Sequence, residues 1–346
     1  MMNHQNVLNR LAVWTAPATA ILAGCLLCGG CMLHHGTPTA ATNQPEAGTE
    51  EYIRGATAYQ NGDTDTAVAE LTEAVEENPD LTMAHVILGN IYRSKADYNQ
   101  ATVHYEIAVR LDPYDYENHY NLGITYQFLN RLQEAAACYL RALQLKPTDL
   151  NSTMNLGLVY LALNQPNDAL NEMKQAVQID PQSASAHINL GVVLDERGDL
   201  PEAELEYRRA IELDPTSSVT MMNLAGNLIR QGRGRDAVGV MRDELKIADT
   251  TTARKRYGDA LVLDGQDDDA YRQYAEALRR NPDYWQALNQ TGLILIRRYV
   301  AGAELDEDQR KQALLTWQRS LDLNPNQPQL QALINKWTAP AGQAFP

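Results

Sequence analysis

Cysteine is nearly absent from the body of this chain: of four, three fall at Cys25, Cys28 and Cys31 and only Cys138 lies beyond. No disulfide framework can staple the rest, so stability must come from packing. Cations are scarce too, 29 Lys and Arg against 44 Asp and Glu for a formal charge of −15. That balance excludes nucleic acid as the natural partner, because phosphate binding is driven by Lys and Arg. Residues 11–33 carry no formal charge at all, and Arg10 is the only cation ahead of them. Such a run is the pattern of an export signal or membrane anchor.

The end of that run reads ILAGCLLCGGCMLHHG from Ile21. Cysteines at C-x2-C-x2-C followed by His34 and His35 would suit soft-metal or iron–sulfur ligation in a folded loop, but a fourth cysteine at family spacing is missing. The tetrad Leu22-Ala23-Gly24-Cys25 resembles the bacterial lipobox. That resemblance implies a signal peptide over residues 1–24 and a diacylglycerol on the thiol of Cys25. Cys31 after Gly29-Gly30 is a second acceptor, without a Leu three places before it, and an uncleaved membrane helix is a third reading. All three put the body outside the cytoplasm, facing the periplasm or the cell exterior. Leu26 in place of Asp favours the outer membrane if sorting follows the proteobacterial pattern. Residues 25–47 then form the lipidated start and a small, polar tether, GTPTAATNQPEAG, with nothing to bury.

Beyond Gly48 the sequence copies itself. HVILGNIY, HYNLGITY, TMNLGLVY and HINLGVVL follow one another at 34 residues, from His85, His119, Thr153 and His187. Small residues recur at Gly55, Gly89, Gly123, Gly157, Gly191, Ala225, Gly258 and Gly292, and a second series of alanines runs from Ala67 to Ala313. Prolines close most copies, as at Pro79, Pro113 and Pro147. Each copy reads as two amphipathic helices, the glycine letting the second come close to the first. The turn between them carries Asp to cap the second helix, as at Asp63 and Asp199.

This pattern resembles the tetratricopeptide repeat. The resemblance implies an all-α fold: a right-handed superhelical solenoid of about eight helix-turn-helix repeats over residues 48–325, a capping helix over 326–337 and a tail over 338–346. Repeat six has Glu244 where Ala is usual and Asp249 where Pro is usual, which predicts a softer joint before repeat seven. Repeat eight gains nine residues, including AELDEDQRK, read as a lengthened helix pair or a contact loop.

Asn121, Asn155, Asn189 and Asn223 stand 34 residues apart, and Arg256 and Gln290 continue the series. Stacked along the inner groove, their carboxamides could satisfy the backbone of an extended peptide, one at about every third residue. The array is similar to the asparagine ladder in the repeat domain of O-linked N-acetylglucosamine transferases. Its structural alternative is that Asn suits a solvated helix face. Arg254, Lys255 and Arg256 are either a contact for an anionic partner or a solvated helix face. His85, His119 and His187 share one repeat position, where histidine packs the helix pair, and whole repeats separate them, too far for one metal ion. Cys138 reads as a small core residue.

Neither a phosphate loop nor a triad-like motif is present, so neither catalysis nor a cofactor is expected. The expected function is a membrane-tethered scaffold binding an extended peptide or partner protein in its groove. The combination of lipobox and repeats resembles the pilotin lipoproteins of type IV pilus assembly, which implies a role in an envelope, secretion or pilus complex. Two further readings remain open: a regulatory subunit of an envelope enzyme, and a metal or redox protein using the cysteine cluster.

Overall fold

The structure, a computed structural model, describes residues 47–302 and 306–338. Cys25 and the whole anchor segment lie outside them. The described residues form seventeen α-helices and no strand. No helix among them is long and apolar enough to cross a membrane. They fall into two compact bodies divided after Pro181.

The first body holds four helix pairs: α1 (Thr49–Gln60) with α2 (Thr64–Glu77), α3 (Thr82–Ser94) with α4 (Tyr98–Leu111), α5 (Tyr116–Phe128) with α6 (Leu132–Leu145), and α7 (Leu150–Ala162) with α8 (Pro166–Ile179). The second holds α9 (Ala184–Arg197) with α10 (Leu200–Leu213), α11 (Ser218–Arg230) with α12 (Gly234–Ile247), α13 (Thr251–Leu263) with α14 (Asp267–Arg280), and α15 (Trp285–Ala301) with α16 (Glu307–Leu323), then α17 (Pro328–Thr338). Within each body a helix packs on its own partner and on the first helix of the next pair.

The glycine of each first helix is where the pair closes. A Cβ at Gly123 would stand 2.8 Å from the Tyr139 ring, and one at Gly292 would stand 2.2 Å from the indole of Trp317. Tyr139 and Trp317 are fully buried, so the ring fills the room the missing Cβ leaves. In repeat six the same place is taken by Ala225, packed in one cluster with the slimmer, flexible Met241.

The turn inside a pair needs one left-handed residue. Gly198 takes it at φ 88°, Asn130 at 57° and, at a steric cost, Ala96 at 58°. Asp63 and Asp97 then cap the second helix by accepting from the backbone N–H of Thr66 and Gln100. Asp199 departs from the expected cap and pairs with Arg197 at 2.9 Å instead. Pro201 sits in the first turn of that helix and offers no N–H to accept.

The expected soft joint after repeat six is instead clamped. Ala248 ends α12 in the extended conformation that other copies place before proline, φ −140° and ψ 94°. The following Asp249 accepts from Arg254 at 2.7 and 2.8 Å and from Arg280 at 2.6 Å. Two guanidinium groups thus hold a turn that elsewhere proline stiffens. Glu244, at the usual alanine position, is fully buried and takes a 2.5 Å hydrogen bond from the Ser218 hydroxyl.

The extra residues of repeat eight lengthen the pair: α15 and α16 have 17 residues each, against 13 and 14 in α13 and α14. Helix α17 lays Leu330 and Ile334 on Leu295, Ile296, Trp317 and Leu321, covering the apolar surface of the last helix pair.

Candidate peptide-binding face

In the first body the first helices α1 and α3 leave large apolar side chains open to solvent. Ile53 on α1 is 57% exposed and Met83 on α3 is 55% exposed. Half-buried Tyr52, Val86, Tyr120 and Ile124 continue the same side. Large apolar side chains left open on neighbouring helices are the signature of a surface kept for a partner. Ile53 also borders a recess of about 420 Å³ beside Arg54 and Thr57, too open to enclose a small molecule.

The asparagines do not stand free on that face. Asn121 is half-buried, and its Oδ1 accepts from Arg93 of the preceding repeat at 3.3 Å. Asn155 is 6% exposed, with the Tyr120 and Tyr139 hydroxyls as hydrogen-bond partners of its carboxamide. In the second body Asn189 and Asn223 are 0% and 2% exposed. A carboxamide at those exposures cannot meet a ligand without a side-chain rearrangement. Of the expected ladder, Asn121 is thus the half-exposed rung, while Asn155, Asn189 and Asn223 lie out of solvent.

The basic run resolves likewise. Arg254 is held by Asp249 and donates to Gln273 at 2.7 Å, and Lys255 pairs with Asp259 at 2.7 Å. Arg256 donates to the backbone carbonyl of Met222, and its guanidinium covers Gly226. Gln290 is half-buried. An anionic partner thus meets cations already matched by internal acceptors.

Residues not singled out from the sequence organise the face from behind. Tyr105 donates to Asn90 at 2.7 Å and Tyr139 to Gln127 at 2.8 Å. In the second body Tyr274 donates to Asp259 at 2.9 Å and Tyr207 to Asp195 at 3.3 Å. Burial pushes the phenols of Tyr105, Tyr139 and Tyr274 well up, so they remain donors. Each second-helix tyrosine therefore reaches past its glycine and fixes a polar side chain of the first helix. A tyrosine in the second helix with Asn, Gln or Asp 12 or 15 residues earlier is the signal that would have found them. Asp195 is further held by Asn227 Nδ2 at 2.6 Å and by Arg230.

His85 and His119 each place Nε2 3.1 Å from the carbonyl of the proline six residues earlier. Burial pushes the Cys138 thiol up to about 12, the state of an inert core residue. Among the described residues no three His, Cys, Asp or Glu side chains gather to hold a metal ion.

Family models for the tetratricopeptide repeat match residues 54–116, 116–149 and 154–218. These are tetratricopeptide repeats. Among solved structures, a tetratricopeptide repeat protein from Parabacteroides merdae is 17% identical with a TM-score of 0.56, covering 71% of this chain and 98% of its own. PilW, a type IV pilus biogenesis factor, is 22% identical with a TM-score of 0.54 over 59% of this chain and 94% of its own. The pilF protein of Pseudomonas aeruginosa is 19% identical with a TM-score of 0.50 over 61% and 94%. At these identities the shared property is the repeat fold. No curated protein matches the chain. Tetratricopeptide repeats are protein-binding scaffolds, typically without catalysis of their own.

Proposed function

We propose that this protein is a membrane-tethered scaffold that holds an extended peptide or partner protein against the first helices of its repeats. The observation that carries this reading is the exposure of Ile53 and Met83 on the neighbouring helices α1 and α3. A partner covering them removes the exposed half of each side chain from water, about 0.8–1.5 kcal/mol apiece. Asn121 supplies a polar contact beside this apolar strip, and the tyrosine-braced first helices hold it in place before binding. Cys25 carries the lipid, and the small polar segment after it separates the repeats from the membrane. Assembly of an envelope, secretion or pilus complex is the setting that suits such a tethered holder, and PilW, of the same fold, is itself a pilus biogenesis factor.

Two experiments test the two halves of the reading. A photo-crosslinker at Met83 should capture a defined partner in cells, in a saturable way, and one at Val103 on α4 should not. Equal capture from both positions would defeat the binding half. Metabolic labelling with a fatty acid should mark the wild type and spare Cys25→Ala; label that vanishes only in Cys31→Ala would move the anchor.

A further inference from the structure

One lateral contact recurs between the two helices of a pair, and its chemistry changes from repeat to repeat. It joins the fourth residue of the first helix to a residue 19 positions later. In the second body it is His187 Nδ1 with Glu206 Oε2 at 2.6 Å, and Arg254 Nη1 with Gln273 Oε1 at 2.7 Å. Each of those matches a donor with an acceptor. In repeat two the same contact is His85 with His104, the two Nδ1 atoms 3.1 Å apart.

The hydrogen-bond logic of that pair is fixed by its surroundings. The Pro79 carbonyl can only accept, so His85 Nε2, 3.1 Å away, carries a proton and donates it. His85 Nδ1 is then a bare lone pair, and His104 Nδ1–H donates to it. The ring centres lie 5.3 Å apart, so the rings meet edge to edge, as an N–H···N bond requires. His104 is also stacked on Tyr92, with centroids 5.5 Å apart and planes 4° from parallel. The pair is therefore complete with both rings neutral and one proton between them.

A further proton brings a positive charge into a place with little to meet it. Asp80, in the turn before α3, favours the charge on His85, while Arg110 on α4 opposes it. No carboxylate takes the part that Glu206 takes beside His187. We propose that repeat two is an acid-released latch: the neutral His85–His104 pair joins α3 to α4 through one N–H···N bond, and that bond is lost once each ring carries a second proton and two Nδ1–H donors face each other.

Burial sets the direction of the effect. It pushes both histidines down, His104 to about 4, and His85 in turn repels charge on His104. The unfolded segment, whose histidines titrate at about 6.5, then binds more protons than the folded one between about pH 6.5 and about pH 4. Stability supplied by the latch is present above that window and is lost as pH falls through it.

The test uses the full-length chain. Amide hydrogen exchange, corrected for intrinsic rate, is compared between about pH 7 and about pH 5 in α3 and α4 and, as internal reference, in α15 and α16, which carry no histidine. Opening of α3 and α4 should rise by up to about tenfold per pH unit for each excess proton, while the reference helices hold steady. His104→Gln keeps a donor for His85 but removes one titrating ring, and should reduce the acid response to the part that His85 alone supplies. An equal response in the wild type and His104→Gln, or one no larger in α3 and α4 than in α15 and α16, overturns the proposal. Should His104→Gln fail to fold, imidazole titration of the wild type by NMR decides: His104 near about 4 supports the latch, and both rings at or above about 6.5 overturn it.

Discussion

Arg280, the last residue of α14, closes on Asp249, with Nη2 2.6 Å from Oδ2, and so ties the end of repeat seven to the turn that precedes it. Arg254 completes the clamp from the first turn of α13. Asp249→Ala should therefore loosen α13 and α14 ahead of α9 and α10 in hydrogen exchange, with the fold elsewhere intact. The Arg254 hydrogen bonds hold the Asp249 carboxyl far below the usual carboxylate range despite some burial. Its stabilisation is thus present above the ordinary carboxyl value of about 4 and is lost only as pH falls through the lower folded value. At about pH 5, inside the window in which the His85–His104 latch is expected to weaken, this clamp should remain shut. Loosening of α13 at that pH in the wild type would count against it.

Glu244 offers a pH response of opposite sign. One of its oxygens accepts from Ser218, and the other is buried with no hydrogen-bond partner. Burial raises its pKa, so stability is full below the unfolded carboxyl value and falls as pH rises through the folded one. Glu244→Gln should be more stable than the wild type by about 1–3 kcal/mol at about pH 8, because the amide removes the buried negative charge while keeping the side chain's shape. The gain should fade toward about pH 4, where both side chains are neutral. Urea denaturation at the two pH values measures it, and a gain independent of pH would contradict the account.

The contact between Gly123 and Tyr139 sets the spacing of α5 and α6. Gly123→Ala places a methyl 2.8 Å from the ring and should cost about 1–3 kcal/mol by overpacking. Tyr139→Met should recover part of that loss, because the chain already pairs Ala225 with Met241 in repeat six. A double-mutant cycle reads the coupling. Strict additivity would mean that the glycine is not a packing residue.

The helix pairs were legible in the sequence because each repeats the same marks, the glycine, the alanines and the closing proline, at a fixed period. Repetition gives a local rule many independent readings. Asp249 misled because the absence of proline is visible, whereas its two guanidinium partners, 5 and 31 residues away, are not. The burial of the asparagines was illegible for a related reason. Their period places them on one side of each first helix, but exposure is settled by the neighbouring helix, and Asn189 ends with none. His85 was read as a packing residue, and its pairing with His104 became visible only when α3 and α4 met. Ile53 and Met83 drew no notice because an isolated apolar residue reads as core. Their 57% and 55% exposure is a fact of packing alone.

The claim that the first helices of the first body carry the partner is tested most directly by titrating the protein captured from Met83 against three full-length variants. Met83→Asp and Ile53→Asp replace exposed apolar side chains on α3 and α1, and Val103→Asp does the same on the second helix α4, where the side chain is 49% exposed. About half of each side chain is left for a partner to bury, so its loss corresponds to about 3-fold to 15-fold weaker binding. The account predicts that loss for Met83→Asp and Ile53→Asp, with Val103→Asp binding as the wild type does. Unchanged affinity in the first two, or an equal loss in Val103→Asp, would contradict it.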